Sequence, residues 1–288
     1  MSSVRLALIV AFAALLTACN GTRQSPSESV PAPRPLLVQG AMDVEVRALV
    51  NLLEHPLESR VQGWTFWTGT LNGYPVVISK TMKGGSNTAA ATAIAIERFH
   101  PIAIINQGTA GGHDPALHVA DIVLGAESMN IGSFKTGSRA RGAGTDFAEW
   151  KPMDLLFSEG SAGQTPEAWT MRRFKADPGL LEAANGSRTQ YTRGRVVAGV
   201  IGSSDIWNSE LDRIARFHDE FGTSAEEMET APAAQVAAFS QVPFLGIRIL
   251  SNNITNGDAY NGQTAELCQT FVAQVARTYI ATHVQGAH

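Results

Sequence analysis

Short apolar runs recur along the chain, divided by polar and glycine-containing stretches. Pro35 to Gln39, Val76 to Ser79, Ile102 to Ile105, Ala120 to Leu124, Val196 to Ile201 and Phe244 to Leu250 have strand length and large or β-branched side chains. Runs that stay apolar without alternation suit strands covered on both faces. Asn72-Gly73 separates "WTFWTGTL" from "PVVISK", which predicts a hairpin. Longer segments follow a helical period. Ser86 to Phe99 is alanine-rich behind a capping Ser or Asn, and Glu266 to His283 puts Leu267, Phe271, Val275 and Tyr279 on one face. Ser224 to Phe239 opens with Ser224 and, three residues on, Glu227, the spacing of a capping box. Strands alternating with helices predict an α/β protein, a three-layer α/β/α sandwich around a central mixed sheet. Between Gly132 and Trp169 the period dissolves into Gly, Ser, Arg and Asp, so residues from about 133 to 169 read as an insertion or lid.

The amino terminus follows another logic. "MSSVRLALIVAFAALLTAC" carries one positive charge and then an apolar run from Leu6 to Leu16. As a helix that run rises about 16 Å, roughly half a bilayer core, which fits a signal sequence and not a membrane span. Leu16-Thr17-Ala18-Cys19 closes it and resembles a bacterial lipobox, implying cleavage before Cys19 and lipidation of its thiol. The polar, proline-rich stretch that follows has no face to bury and reads as a tether. The expected organisation is therefore a signal peptide (1–18), a disordered tether (19–35) and a single domain (36–288) facing the periplasm or exterior from a lipid anchor.

Composition narrows the partners. Of 288 residues, 44% are apolar and 17% charged, a globular balance, and the net charge of -4 leaves no basic excess for binding nucleic acid. With only 2 cysteines there is no disulfide framework, and the 7 histidines show no metal-ligand spacing, so neither metal nor cofactor is expected.

Four segments carry more polarity and glycine at element ends than packing needs. "VQGAMDVEV" stops a strand at Gly40 and places Asp43 and Glu45 just beyond. "INQGTAGGHDPAL" surrounds Thr109 with Gly108, Gly111 and Gly112, which lets a ligand approach the main chain. "GVIGSSDIWNSELDRI" runs a strand into a helix near Trp207, and "SAEEMETA" is acidic where a helix dipole favours acid. Each alone also fits a bland reading: a solvated helix-start acid, a turn, a core tryptophan, a surface glutamate.

Together, "GAMDVEV", "INQGTAGGHDPALHVADIVL", "FKADPGLL", "EEMETAPAAQV" and "VPFLGIRILSNN" occur in the order and spacing of one family. The chain resembles the methylthioadenosine/S-adenosylhomocysteine nucleosidases of the purine nucleoside phosphorylase-like superfamily from Leu36 to Val284, apart from the insertion and the leader. The resemblance implies cleavage of the bond between a purine and ribose C1′. It implies that Glu45 deprotonates the attacking water, that Thr109 helps hold that water, and that Arg248 lies near both and keeps Glu45 ionised. It places Glu229 on the ribose diol, Met228 on the sugar, Ala110 and Gly111 beneath base and sugar, and Ile206 and Trp207 around the base. A homodimer is implied as well.

One position departs. Where these enzymes carry an aspartate that protonates N7 of the purine, this chain has Asn252, and a carboxamide has no proton to give. Asp205 or Asp258 are the nearby acids that could substitute; a 6-oxopurine substrate, or binding with poor turnover, are the other readings. "MKGGSNTAA" with Lys83 offers a phosphate site at a helix start, which leaves phosphorolysis open. The charge of Glu45 at the point of attack favours water over phosphate.

Overall fold

A computed structural model describes residues 33–153, 155–156 and 172–284. The signal peptide, Cys19 and most of the tether lie outside the described residues. In chain order the main elements are β1 (Leu36–Gly40), α1 (Asp43–Leu52), β2 (Glu54–Val61), β3 (Trp64–Leu71), β4 (Tyr74–Lys80), α2 (Gly85–Phe99), β5 (Ala103–Gly112) and β6 (Ile122–Asn130). Two short pieces, β7 (Phe134–Lys135) and β8 (Lys151–Pro152), are followed by β9 (Arg173–Lys175), α3 (Pro178–Gly186), β10 (Val196–Ser203) and α4 (Leu211–Phe221). The chain then continues through β11 (Thr223–Glu227), α5 (Thr230–Phe239), β12 (Phe244–Asn252) and α6 (Thr264–Tyr279).

The expected layers are present. The strand order is β11-β10-β6-β12-β5-β1-β4-β3-β2, with parallel and antiparallel neighbours mixed. Successive strand residues face opposite sides. Leu36, Val38, Val76, Ile78 and Ile105 pack with α1, α3 and α6. Their neighbours Leu37, Val77 and Ile104 pack with Ala95 of α2 and Ala233, Ala234 and Ala237 of α5. Both faces are buried, which is why these strands read as unbroken apolar runs. At the hairpin, Asn72 and Gly73 take φ of 51° and 73°, as a type I′ turn requires.

β5 runs past its parallel partners, and its last residues pair antiparallel with β11, Gly111 opposite Glu226 and Gly112 opposite Ala225. The strands β5, β12, β6, β10 and β11 thus form a closed circuit of pairing at one end of the sheet.

One sequence reading is corrected. Ser224 to Glu227 is not a helix start: it is strand β11, and the helix begins at Thr230. Glu227 still caps that helix, accepting from the backbone N–H of Thr230 at 3.1 and 3.0 Å and of Glu229 at 2.9 Å. The described part of the insertion packs on α4. β7 pairs with β8, and Phe134, Phe147 and Trp150 cluster on Phe217 of α4.

Candidate active site

In α/β sheets ligands bind beyond the carboxyl ends of the strands. A cleft of about 260 Å³ opens there, between the ends of β1, β5, β11 and β12 and the loop after β10.

Glu45 is almost wholly buried in the cleft wall. It stands at the third position of α1, and its Oε2 accepts from the backbone N–H of Ala41 at 3.0 Å and Met42 at 3.1 Å. That is the reach-back half of a capping box. Its Oε1 turns the other way and accepts from Thr109 N at 2.9 Å and Thr109 Oγ1 at 3.0 Å. Gly108 is glycine because a Cβ there would lie 2.8 Å from Glu45 Oε1. The pairing of Glu45 with Thr109 joins two of the sequence motifs at one point of the cleft.

Glu229 lines the same cleft, with Met228 beside it. Its Oε1 accepts from Gly84 N at 2.8 Å, at the start of α2. Burial first, then the neighbouring charge of Glu227, push the Glu229 carboxyl up to about 8 against the opposing charge of Arg248.

Arg248 does not line the cleft. It lies beneath it, 1% exposed, with Nε 2.9 Å from Glu227 Oε2 and Nη1 3.0 Å from the Asn106 carbonyl. Its nearest approach to Glu229 is 4.0 Å. The partner of Arg248 is thus Glu227, a residue that the sequence reads as the acid of a capping box or as a surface glutamate. The clue available was an acidic run, "AEEME", beside a strand arginine in an apolar run.

Asn252 ends β12 and faces the cleft opposite Gly111 and near Ala110. Its Oδ1 takes a hydrogen bond from Ser251 Oγ at 3.1 Å, which leaves the amide N–H groups as donors. Neither candidate acid substitutes for it. Asp205 accepts from Gly85 N at 2.8 Å at the start of α2. Asp258 accepts from Val119 N at 2.9 Å and pairs with His118 at 3.0 Å, contacts that hold it below the usual carboxylate range. Neither side chain is part of the cleft lining.

Ile206 and Trp207 line the cleft from the loop after β10, but Trp207 is 70% exposed and forms a rim with Tyr260, ring centroids 6.3 Å apart. Tyr260, His113, Glu226 and Asn208 also line the cleft and were not among the expected site residues. Among the described residues, no group of three or more His, Cys, Asp or Glu side chains is arranged to hold a metal ion.

Comparison with known proteins places this geometry. The family model of the phosphorylase superfamily matches residues 35–281. A 5′-methylthioadenosine/S-adenosylhomocysteine nucleosidase of Bacillus thuringiensis (strain Al Hakam) is 33% identical over 218 residues, 75% of this chain and 85% of the relative. The nucleosidase of Neisseria meningitidis in complex with methylthio-immucillin-A superposes with a TM-score of 0.68 at 25% identity, over 84% of this chain and 98% of that one. The corresponding protein of Colwellia psychrerythraea 34H in complex with adenine gives 0.66 at 27% identity, over 85% and 95%. The futalosine hydrolase of Helicobacter pylori shares the fold, with a TM-score of 0.68 at 20% identity over 85% and 97%.

Proposed function

Because the chain belongs to the phosphorylase superfamily, and within it to the 5′-methylthioadenosine/S-adenosylhomocysteine nucleosidases, we propose that it hydrolyses the N-glycosidic bond of purine nucleosides. The observation that supports this most is Glu45 sharing one cleft with Glu229, Thr109 and Asn252. In this reading the oxygen of a water bonds to ribose C1′ as the C1′–N9 bond breaks, and the water's proton passes to the Glu45 carboxylate. Glu45 also offsets the positive charge that develops on the sugar. Glu229 clasps the ribose diol. The bonding electrons leave with the purine. Asn252 donates a hydrogen bond to N7 of the base but no proton, so the departing purine takes its proton from solvent.

Hydrolysis is favoured over phosphorolysis by the state of the glycine turn before α2. Its backbone donors are already taken: Gly84 N by Glu229, Gly85 N by Asp205. Lys83 remains as a cation on the cleft wall, but the Glu45 carboxylate shares that wall. At an effective dielectric of 20, like charges about 4 Å apart repel by roughly 4 kcal/mol, so a phosphate dianion is poorly received. The test is incubation with methylthioadenosine, adenosine, inosine and guanosine, with and without phosphate. Free base with ribose or methylthioribose is expected without phosphate; product that forms only with phosphate, as a sugar 1-phosphate, would overturn hydrolysis.

The leader supports a lipid anchor on Cys19 and a place in the cell envelope, and the family resemblance supports a homodimer. The anchored form is expected to partition into the detergent phase, and Cys19→Ser to remain in the aqueous phase. Equal partitioning of the two would remove the anchor from this reading.

A further inference from the structure

Glu226 and Glu227 are adjacent on β11, and their side chains leave the strand on opposite sides. Glu227 goes to Arg248. Glu226, 7% exposed, gathers three segments of the cleft wall. Its Oε2 receives Asn208 Nδ2 at 2.7 Å and faces His113 Nε2 at 3.0 Å; its Oε1 receives the Ser204 hydroxyl. Arg213 Nη2 stands 3.9 Å from Oε1. His113 is itself buried, with Nδ1 2.8 Å from Thr223 Oγ1 and its ring stacked on Phe217, centroids 6.0 Å apart.

The connections matter more than the bonds. Ser204 and Asn208 bracket Ile206 and Trp207, the residues that the loop after β10 brings to the cleft. His113 directly follows Gly111 and Gly112, the end of the strand that forms the cleft floor. One carboxylate therefore ties the rim loop at two points to the end of the floor strand. Burial works to raise Glu226, but the hydrogen bond and charge of His113, with Ser204 and Asn208, hold it below the ordinary carboxylate value. The proposed reaction uses none of these groups.

We infer that Glu226, oriented by His113, is a positioning residue that fixes the 204–210 loop against the cleft floor and so preforms the purine site. The inference rests on the nucleosidase reading for the identity of the ligand. Its energetic content is preorganisation: a loop already held in its binding geometry loses less freedom when the base arrives. Because the loop contacts the base before and during bond cleavage alike, losing the tie weakens binding without slowing the chemical step.

The experiment measures kcat and KM for the best substrate, and adenine and hypoxanthine affinity by calorimetry, for Glu226→Gln, Asn208→Ala and the double variant. Glu226→Gln presents an amide N–H group to Asn208 or His113 and loses the charge. Asn208→Ala removes only the loop anchor and spares the buried pair, so it reports even if Glu226→Gln folds poorly. Each single variant is expected to raise KM and weaken purine affinity about tenfold, with kcat within about twofold. The double variant is expected to be little worse than the worse single one, because both cut the same tie. Unchanged purine affinity in Asn208→Ala, fully additive effects, or a fall in kcat at unchanged KM would each overturn the inference. A wild-type protein that neither cleaves nor binds purines would remove the nucleosidase reading itself, a result distinct from variants that keep wild-type affinity.

Discussion

Glu45→Gln is expected to lower kcat by about 10²–10⁴-fold, the usual contribution of a positioned general base. The amide has nearly the shape of the carboxylate and still offers one oxygen to Thr109, but it cannot take a proton from water. It also loses part of the structural role. Glu45 accepts the backbone N–H groups of Ala41 and Met42 at the start of α1, and an amide nitrogen placed there leaves them unbonded. That loss costs about 1–3 kcal/mol of stability, so rates are to be compared where thermal unfolding shows both proteins folded. Purine affinity is expected to stay close to wild type, because Asn252, Glu229 and the rim loop are untouched. The competing reading is that Glu45 is only a helix cap. It requires a kcat within about tenfold of wild type once stability is accounted for, and that outcome would sink the assignment of the base.

Arg248→Met is expected to destabilise the fold by about 3–5 kcal/mol, measured by urea unfolding. Methionine approximates the length of the arginine stem, so packing changes little. What changes is Glu227, 3% exposed in its side chain, which is left as a buried carboxylate without its cation. The carbonyl and Oδ1 of Asn106 lose donors at the same time. Glu227→Gln in the Arg248→Met background is expected to recover a large part of the loss, since an uncompensated charge is then no longer buried. A single variant within about 1 kcal/mol of wild type would show that the pair is not what holds the cleft floor. Activity is expected to fall as well, because Glu227 caps α5 directly behind Glu229 and the charge of Arg248 acts on Glu229.

These two residues show how unevenly the site could be read in advance. Glu45 was singled out through the family resemblance, and the motif that carries it is local: a strand, a glycine stop and an acid within a few residues. Its contact with Thr109 joins two such motifs and follows once β1 and β5 are neighbours. The partner of Arg248 was not recognisable. Glu227 lies 21 residues earlier in the chain and its surroundings have the composition of an exposed helix start. The same holds for Glu226 and His113, 113 residues apart, one in an acidic run and the other in a glycine-rich loop.

The chain's own pattern determined the layers. Strands covered on both faces must be apolar throughout, helices covered on one face must repeat with their turn, and Asn-Gly between two strands must turn tightly; each leaves a mark over a handful of consecutive residues. It did not mark β2, whose residues Glu54 to Val61 are mostly exposed and carry no burial pattern, so only pairing with β3 makes them a strand. Nor did it decide that Ser224 to Glu227 extends instead of coiling, because β10 and the end of β5 claim the backbone hydrogen bonds that a helix start would need. Which acid is buried, which is paired and which faces the cleft depends on side chains brought together from distant positions. Those choices belong to the tertiary structure, since the electrostatic cost of a buried charge is set by neighbours that local sequence does not reveal.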